Sequence, residues 1–283
     1  MNSLATIEPV DYLLIGHVTQ DITPSGLKLG GTVSYAALTA RAFGIKVGIV
    51  TSCADTLALN ELAGIPVIRK SAAATTTFEN ISTPDGRIQY LRSTAAQLTL
   101  ADVPTTWRTA PIVHLGPVAA ELDPGLAEAF PHALLGITPQ GWLRAWNAEG
   151  LVSYTDWPEA LRVLPHARAA VLSIEDVRGD EEIIQEYAVE VPNLIVTEGA
   201  RGARIYWNGD VRHIRPPQEE EIDPVGAGDI FAAAFFIRFA ATRDPWESAR
   251  VATLLAAHSV TLRSLAGVPT PADVQSSLTE IIH

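Results

Sequence analysis

The sequence holds a single cysteine, Cys53, in 283 residues. No intrachain disulfide can form and a metal site built from several thiolates is excluded, which fits a reducing, cytoplasmic setting. Positive charge is scarce as well, with 20 Lys and Arg against 32 Asp and Glu and a formal net charge of −12. Nucleic-acid binders carry a basic face or groove, so that partner class is not expected, and a small anionic ligand would need a local device. No run of about 18 apolar residues passes without a charge, so no membrane span is expected. The start, MNSLATIEPVDYLLIGHV, has no basic head leading into a long apolar run, and no targeting is expected from it. Linker-like, low-complexity and repeated segments are missing too, and with 47% hydrophobic residues the chain, 1–283, reads as one domain with a substantial core.

What is present is an alternation of short apolar runs with helical patterns. DYLLIGHV, KVGIVTS, APIVHLGPV, HALLGIT, AAVLSI and NLIVTEG read as buried strands, and TVSYAALTARAFG, between the first two, as a helix. Repeated strand, helix, strand units predict an open, mostly parallel α/β sheet with helices on both faces. Two segments break the rhythm. Residues 75–97, TTTFENISTPDGRIQYLRSTAAQ, alternate at period two around a PDG turn and predict an antiparallel hairpin, while QDITPSGLKLGG reads as another extended excursion. Segments 18–31 and 75–97 together predict a small β lid beside the main sheet. Beyond residue 222 the pattern turns helical, through GAGDIFAAAFFIRFAAT, PWESARVATLLAAHSVTLRSL and TPADVQSSLTEIIH.

The stretch EIDPVGAGDIFAAAF places two glycines and an acid directly before an apolar helix. The first amides of a helix have no intrahelical partner and sit at the positive end of its dipole, so GAG can offer backbone N–H groups to an anion at close range. Asp229 then stands beside whatever those amides hold. An acid next to an anion hole suits proton abstraction from a nucleophile that attacks a phosphoryl group. A helix cap and a turn glycine would produce the same letters, and spacing alone does not separate the two readings. The Lys and Ser/Thr of a Walker A loop are lacking, and GTVSYAA is not a GxGxxG fingerprint.

DPVGAGD closely resembles the C-terminal signature of the ribokinase-like (PfkB) carbohydrate kinases, whose usual form is DTxGAGD. The resemblance continues in order along the chain. LLIGHVTQD is similar to the family's first strand, LGGTVSYAALTARAFG to its double-glycine motif, TTTFENISTPDGRIQYLRSTAAQL to its lid, LIVTEGARGARIY to its nucleotide-side loop and AAHSVTLRSLAG to its adenine-side helix and turn. It implies a ribokinase-like fold, with Asp229 as the base and Gly226, Ala227 and Gly228 as the anion hole. It also implies ATP and Mg²⁺ as cofactors, together with a monovalent cation, and Asp223 as an organiser of the loop and its cation sites. Asp21 falls where the family places an acid that binds sugar hydroxyls, and Gly30 and Gly31 where the lid hinges. Thr197, Gly199 and Gly202 match a TxGxxG loop along the donor phosphates, and His258 lies near the adenine-side wall, although on pattern alone it reads as a packed core histidine.

Two departures bear on function. Tyr35 stands where many sugar kinases carry an asparagine, which implies a changed contact to the substrate. No asparagine of an NxxE segment is found in LSIEDVRGDEE, where Glu175 or Asp176 could hold Mg²⁺ through water. GITPQGWLRAW and the compact N-terminal half are more similar to inositol-kinase-type members. The expectation is therefore a kinase of a small polyhydroxy substrate, such as a sugar or cyclitol, and a homodimer formed through the lid. A nucleoside kinase of the same fold, stacking a base on Tyr35 or Phe78, is the nearer alternative, and a non-catalytic sugar or nucleotide sensor the more distant one.

Overall fold

A computed structural model describes residues 7–83 and 86–279. The first two residues of the PDG turn lie outside the described residues. In chain order the strands are β1 (Tyr12–Ile15), β2 (Thr19–Thr23), β3 (Gly26–Gly30), β4 (Val47–Cys53), β5 (Val67–Ser71), β6 (Thr76–Thr83), β7 (Gly86–Ser93), β8 (Ile112–Leu115), β9 (Leu134–Ile137), β10 (Arg144–Trp146), β11 (Val152–Tyr154), β12 (Ala169–Ser173), β13 (Asn193–Thr197), β14 (Ala203–Trp207) and β15 (Asp210–Ile214). The α-helices are α1 (Thr32–Ala42), α2 (Ala160–Val163), α3 (Glu181–Glu190), α4 (Ala227–Thr242), α5 (Pro245–Ser259) and α6 (Pro271–Leu278).

Nine strands form the main sheet in the order β15-β14-β13-β12-β9-β8-β1-β4-β5, with neighbours paired in parallel except at one edge, where β14 runs against both β13 and β15. From β1 the chain winds outward first through β4 and β5 and then, returning, through β8, β9, β12 and β13. The switch point therefore lies between β1 and β8, and open α/β sheets bind ligands beyond the carboxyl ends of the strands there. Alternate residues feed two cores. Tyr12, Leu14, Ile49, Val171 and Ile195 face one layer made by α1, α4, α5 and α6, while Leu13, Ile15, Val50, Leu172 and Val196 face the other.

Helices lie on both faces, as expected, but unevenly. On the second face the helices among the described residues are α2 and α3, and 3₁₀ turns fill the remaining crossovers. Proline explains this locally, since Pro104, Pro124, Pro139 and Pro165 each cap or begin a 3₁₀ turn, where a missing N–H and a fixed φ break a longer helix. Trp107, Trp142 and Trp157 supply the buried bulk instead.

Two notches fix the layers. A Cβ at Gly48 on β4 would meet the Trp107 ring at 2.8 Å, and one at Gly136 on β9 would meet the Phe236 ring of α4 at 2.6 Å. α4 packs into this layer with Ile230 to Ile237 and Phe239 buried. A second sheet of four strands, β3-β2-β6-β7, lies beside the first, and β6 and β7 form the antiparallel pair anticipated for residues 75–97. The β10–β11 hairpin continues it beyond β7, through a bridge between Tyr90 and Leu151 and a bond from the Leu91 N–H to the Gly150 carbonyl at 2.8 Å.

Candidate active site

The helix starts mark the site. α3, α5 and α6 begin at Asp180, Asp244 and Thr270, whose side chains accept the first free amides. α1 and α4 begin instead at Gly31 (φ 87°) and Gly226 (φ 86°), with no side-chain cap. Left-handed φ favours glycine, and at both positions a Cβ would also collide, with the His17 carbonyl at Gly31 and with the Tyr35 ring at Gly226. Gly228 differs, because a Cβ there would meet nothing within 4 Å. Not all of GAG is bare: the Ala227 N–H turns back to the Pro224 carbonyl at 3.3 Å. Asp223 braces the loop, accepting from the Val225 N–H at 3.1 Å and, across to the late turn, from the Ser264 N–H at 2.9 Å.

Asp229 sits half-buried in the first turn of α4. Burial pushes its carboxyl up to about 6; a hydrogen bond from Thr32 and the charge of Arg144 pull it down, and Asp176 and Asp21 push it up further. The carboxylate is thus ionised at neutral pH yet close enough to that range to take and release a proton. Tyr35 is 2% exposed, and burial, followed by the charges of Asp229, Asp21 and Asp223, holds its phenol above the ordinary value.

Asp21 lies on β2, paired with Lys28 on β3 and with Phe78 on β6, and its carboxylate fills the space beside Gly30 that a Cβ would take. Phe78 is buried with Leu91, Val118 and Ala119, and the Arg144 guanidinium stands 5.8 Å from its ring centre. At the joint with the main sheet, buried His17 donates through Nε2 to the Ala96 carbonyl at 2.9 Å, and its Nδ1 accepts from the Thr76 hydroxyl at 2.7 Å. Glu121, 5% exposed, accepts from the N–H groups of His17, Val118 and Ala119, clamping the ends of β1 and β8 together.

On the opposite side, Gly199 (φ 57°) and Gly202 (φ 101°) shape the turn after β13, and a Cβ at Gly202 would strike the Ile214 carbonyl. The Thr197 hydroxyl donates to the Leu172 carbonyl at 3.3 Å. Asp176 accepts from the Ser173 N–H at 2.8 Å and acts electrostatically on Asp229, whereas Glu175 is exposed. His258 is not a core residue: its side chain is 51% exposed at the end of α5, 3.9 Å from Asp273. Among the described residues no group of three or more His, Cys, Asp and Glu is arranged to hold a metal ion, and no helix is long and apolar enough to cross a membrane.

The structure therefore brings Asp229, Gly226, Tyr35, Asp21 and Asp176 together. It adds Thr32, Gln140 and Arg144, which sequence reasoning left unnamed. Gln140 and Arg144 lie in GITPQGWLRAW, a segment whose resemblance was visible in sequence although its side-chain roles were not. Thr32 follows the double glycine directly.

Residues 165–272 match the pfkB family carbohydrate kinases. An inositol 3-kinase of Zea mays is 34% identical over 103 residues, which is 35% of this chain and 26% of that protein, so the matched part spans about a quarter of the relative. A cytidine kinase of Thermococcus kodakarensis is 24% identical over 270 residues, covering 86% of this chain and 93% of that one. Among solved structures, a pyrophosphate-dependent kinase in the ribokinase family, complexed with a pyrophosphate analog and myo-inositol, superposes with a TM-score of 0.73 at 20% identity, over 93% of this chain and 99% of its own. That likeness shows the ribokinase-like fold, and the part of the chain that is similar to the pfkB family carbohydrate kinases includes the glycine-led start of α4.

Proposed function

We propose that the protein transfers a phosphoryl group to a hydroxyl of a small sugar or cyclitol, with Asp229 as general base. The observation that carries this reading is the start of α4, where an uncapped, glycine-led helix end stands beside a carboxyl that burial pushes up to about 6. Asp229 would take the proton as the substrate oxygen attacks in line, and the amides around Gly228 would receive charge from the transferred group. Asp21 would orient the acceptor by accepting from its hydroxyls.

The donor is ATP, lying along the turn that carries Gly199 and Gly202, with pyrophosphate as the alternative used by a neighbour of the same fold. Asp176, with Glu175 beside it, offers carboxylate oxygens that suit Mg²⁺ held through water and the donor phosphates. When bound, Mg²⁺ supplies charge neutralisation on those phosphates.

A polyol acceptor is favoured over a nucleoside by two rings. Tyr35 is packed against Gly226 and Phe78 lies under Arg144, so neither offers an open face to a base. The cytidine kinase match, which covers most of the chain, supports the nucleoside alternative. Phosphorylation assays with myo-inositol, ribose, adenosine and cytidine, each with ATP and with pyrophosphate, test the proposal. Turnover of myo-inositol or ribose is expected. Turnover of nucleosides alone would replace it with the alternative, and donor binding without turnover of any acceptor would favour a sensor.

A further inference from the structure

We propose that the cavity at the amino ends of β9, β12 and β13 is a second binding site, for a small ring compound that carries a phosphate monoester and free hydroxyls. It lies at the end of the sheet opposite to the site described above and does not depend on the phosphoryl-transfer reading.

The backbone brings the lining residues together. β12 lies between β9 and β13, and Arg168, just ahead of β12, donates its N–H to the Leu135 carbonyl of β9 at 2.7 Å. Asn193, the first residue of β13, donates through Nδ2 to the Arg168 carbonyl at 2.8 Å and is paired with Trp207 at the end of β14. His132 precedes β9, and α4 reaches the row with Phe239 and Arg243, at the far end of the helix whose first turn holds Asp229. These residues line a cavity of about 460 Å³, a size that suits a small ring compound.

The charge in the cavity is of one sign. Among the described residues no carboxylate lines it, although acids outnumber bases by 32 to 20 in the chain. Arg162, Arg204, Arg212 and Arg250 each pair with a carboxylate, whereas the guanidinium groups of Arg168 and Arg243 have no partner among the described residues. Free carbonyls at a helix end repel an anion. Those of Arg238 and Phe239 are already taken, by the Thr242 hydroxyl at 2.9 Å and the Arg243 N–H at 3.0 Å. One guanidinium fork satisfies a carboxylate. Two forks and the His132 imidazole match the three terminal oxygens and greater charge of a phosphate monoester.

Asn193 adds a preference for hydroxyls. It is 2% exposed, and because the Arg168 carbonyl can only accept, Nδ2 faces that carbonyl and Oδ1 is turned away from it. That oxygen is buried and receives no bond, so an occupant bearing a hydroxyl can supply the missing donor. Trp207 and Phe239 provide the apolar wall for the ring.

The product of the proposed reaction and a nucleoside monophosphate share this chemistry. The test follows the indole N–H resonance of Trp207 in ¹⁵N-labelled protein, with Trp207→Phe identifying it, as a myo-inositol monophosphate or AMP is added. Either compound is expected to move that resonance to saturation, and the tighter of the two identifies the source. Arg168→Gln and Arg243→Gln should each weaken binding by about tenfold or more, the usual worth of a charged hydrogen bond. Asp229→Asn should leave it unchanged. Both arginine side chains are exposed, so these variants are expected to fold. Calorimetric titration of them against the native protein makes the same comparison without the resonance assignment.

A Trp207 resonance unmoved by both compounds at millimolar concentration overturns the proposal, and so does an affinity unchanged in the double arginine variant. Inorganic phosphate bound as tightly as the two esters overturns it too, because the ring and the hydroxyls would then contribute nothing. The titration needs no turnover, so its result is separate from the outcome of the phosphorylation assays.

Discussion

Gly226 combines left-handed backbone with the Tyr35 ring against its α-carbon, whereas Gly228 has open space where a side chain would go. The two should therefore fail differently. Gly226→Ala is expected to lose stability, about 1–2 kcal/mol from the backbone alone before the ring is displaced. Gly228→Val should keep the fold and lose donor binding and turnover; thermal melts beside donor-binding isotherms separate the two, and equal loss of melting temperature and activity in Gly228→Val would count against a phosphate site. Asp229 makes a second paired prediction. Its raised carboxyl implies that activity falls as pH drops through about 6, and Asp229→Asn should lower turnover by roughly two to four orders of magnitude. The stability sign is opposite. A carboxyl raised in the folded state destabilises the fold when ionised, so Asp229→Asn should melt higher than the native protein above pH 6. That advantage should shrink as pH falls below 6 and be lost only below about 3.8, where the carboxyl is protonated in folded and unfolded chains alike. Melting curves from pH 4 to 8 check this.

At the scale of elements, the β10–β11 hairpin has a double attachment. Arg144 reaches inward from β10 to Gln140 and Val118, while Gly150, in the hairpin turn, accepts from the Leu91 N–H on β7. Gly150 has φ 84°, and a Cβ there would strike the Leu91 carbonyl. Gly150→Ala is therefore expected to loosen the hairpin from β7, costing about 1–3 kcal/mol, and to lower turnover by shifting Arg144 although residue 150 lies in the turn. Faster amide exchange at residues 88–93 together with reduced kcat is the expected result, and unchanged exchange would refute the attachment. Sequence periodicity identified the β6–β7 pair but not this third member. Strands of three residues carry too little alternation to be read, and the pairing to β7 is long-range.

At the scale of the molecule, the parallel sheet was legible because its strands are apolar runs buried on both faces, and α4 because the long helix after GAGD is apolar all round. The proline-rich crossovers were not assigned from sequence, since a missing N–H and a fixed φ leave them as 3₁₀ turns without a helical period to read. In the site, glycines and acids announced themselves through motif order. Thr32, Gln140 and Arg144 did not, because their meaning lies in bonds that join α1 to residues more than 100 positions away. The outer face of the small sheet makes a further prediction: Leu27, Ile81 and Ile88 are exposed there, at 58%, 41% and 38%, and Ile81 pairs directly with Ile88. Burial of this face in a homodimer is expected, so sedimentation should give a dimer for the native chain and a monomer for Ile81→Lys, and a native monomer at micromolar concentration would exclude it.

α4 begins at the uncapped loop and runs on through a continuous buried stretch, Ile230 to Ile237. The phosphoryl chemistry proposed for this helix start would inherit the rigidity of the core, and drift in that segment is expected to cost folding before it alters activity. Asp21, Phe78 and Arg144 stand on thinner, more peripheral strands. Selection for a new acceptor should accumulate accepted changes in β2, β6 and β10 and leave the glycine-led helix almost untouched, so that lineages diverge in what they phosphorylate while conserving how.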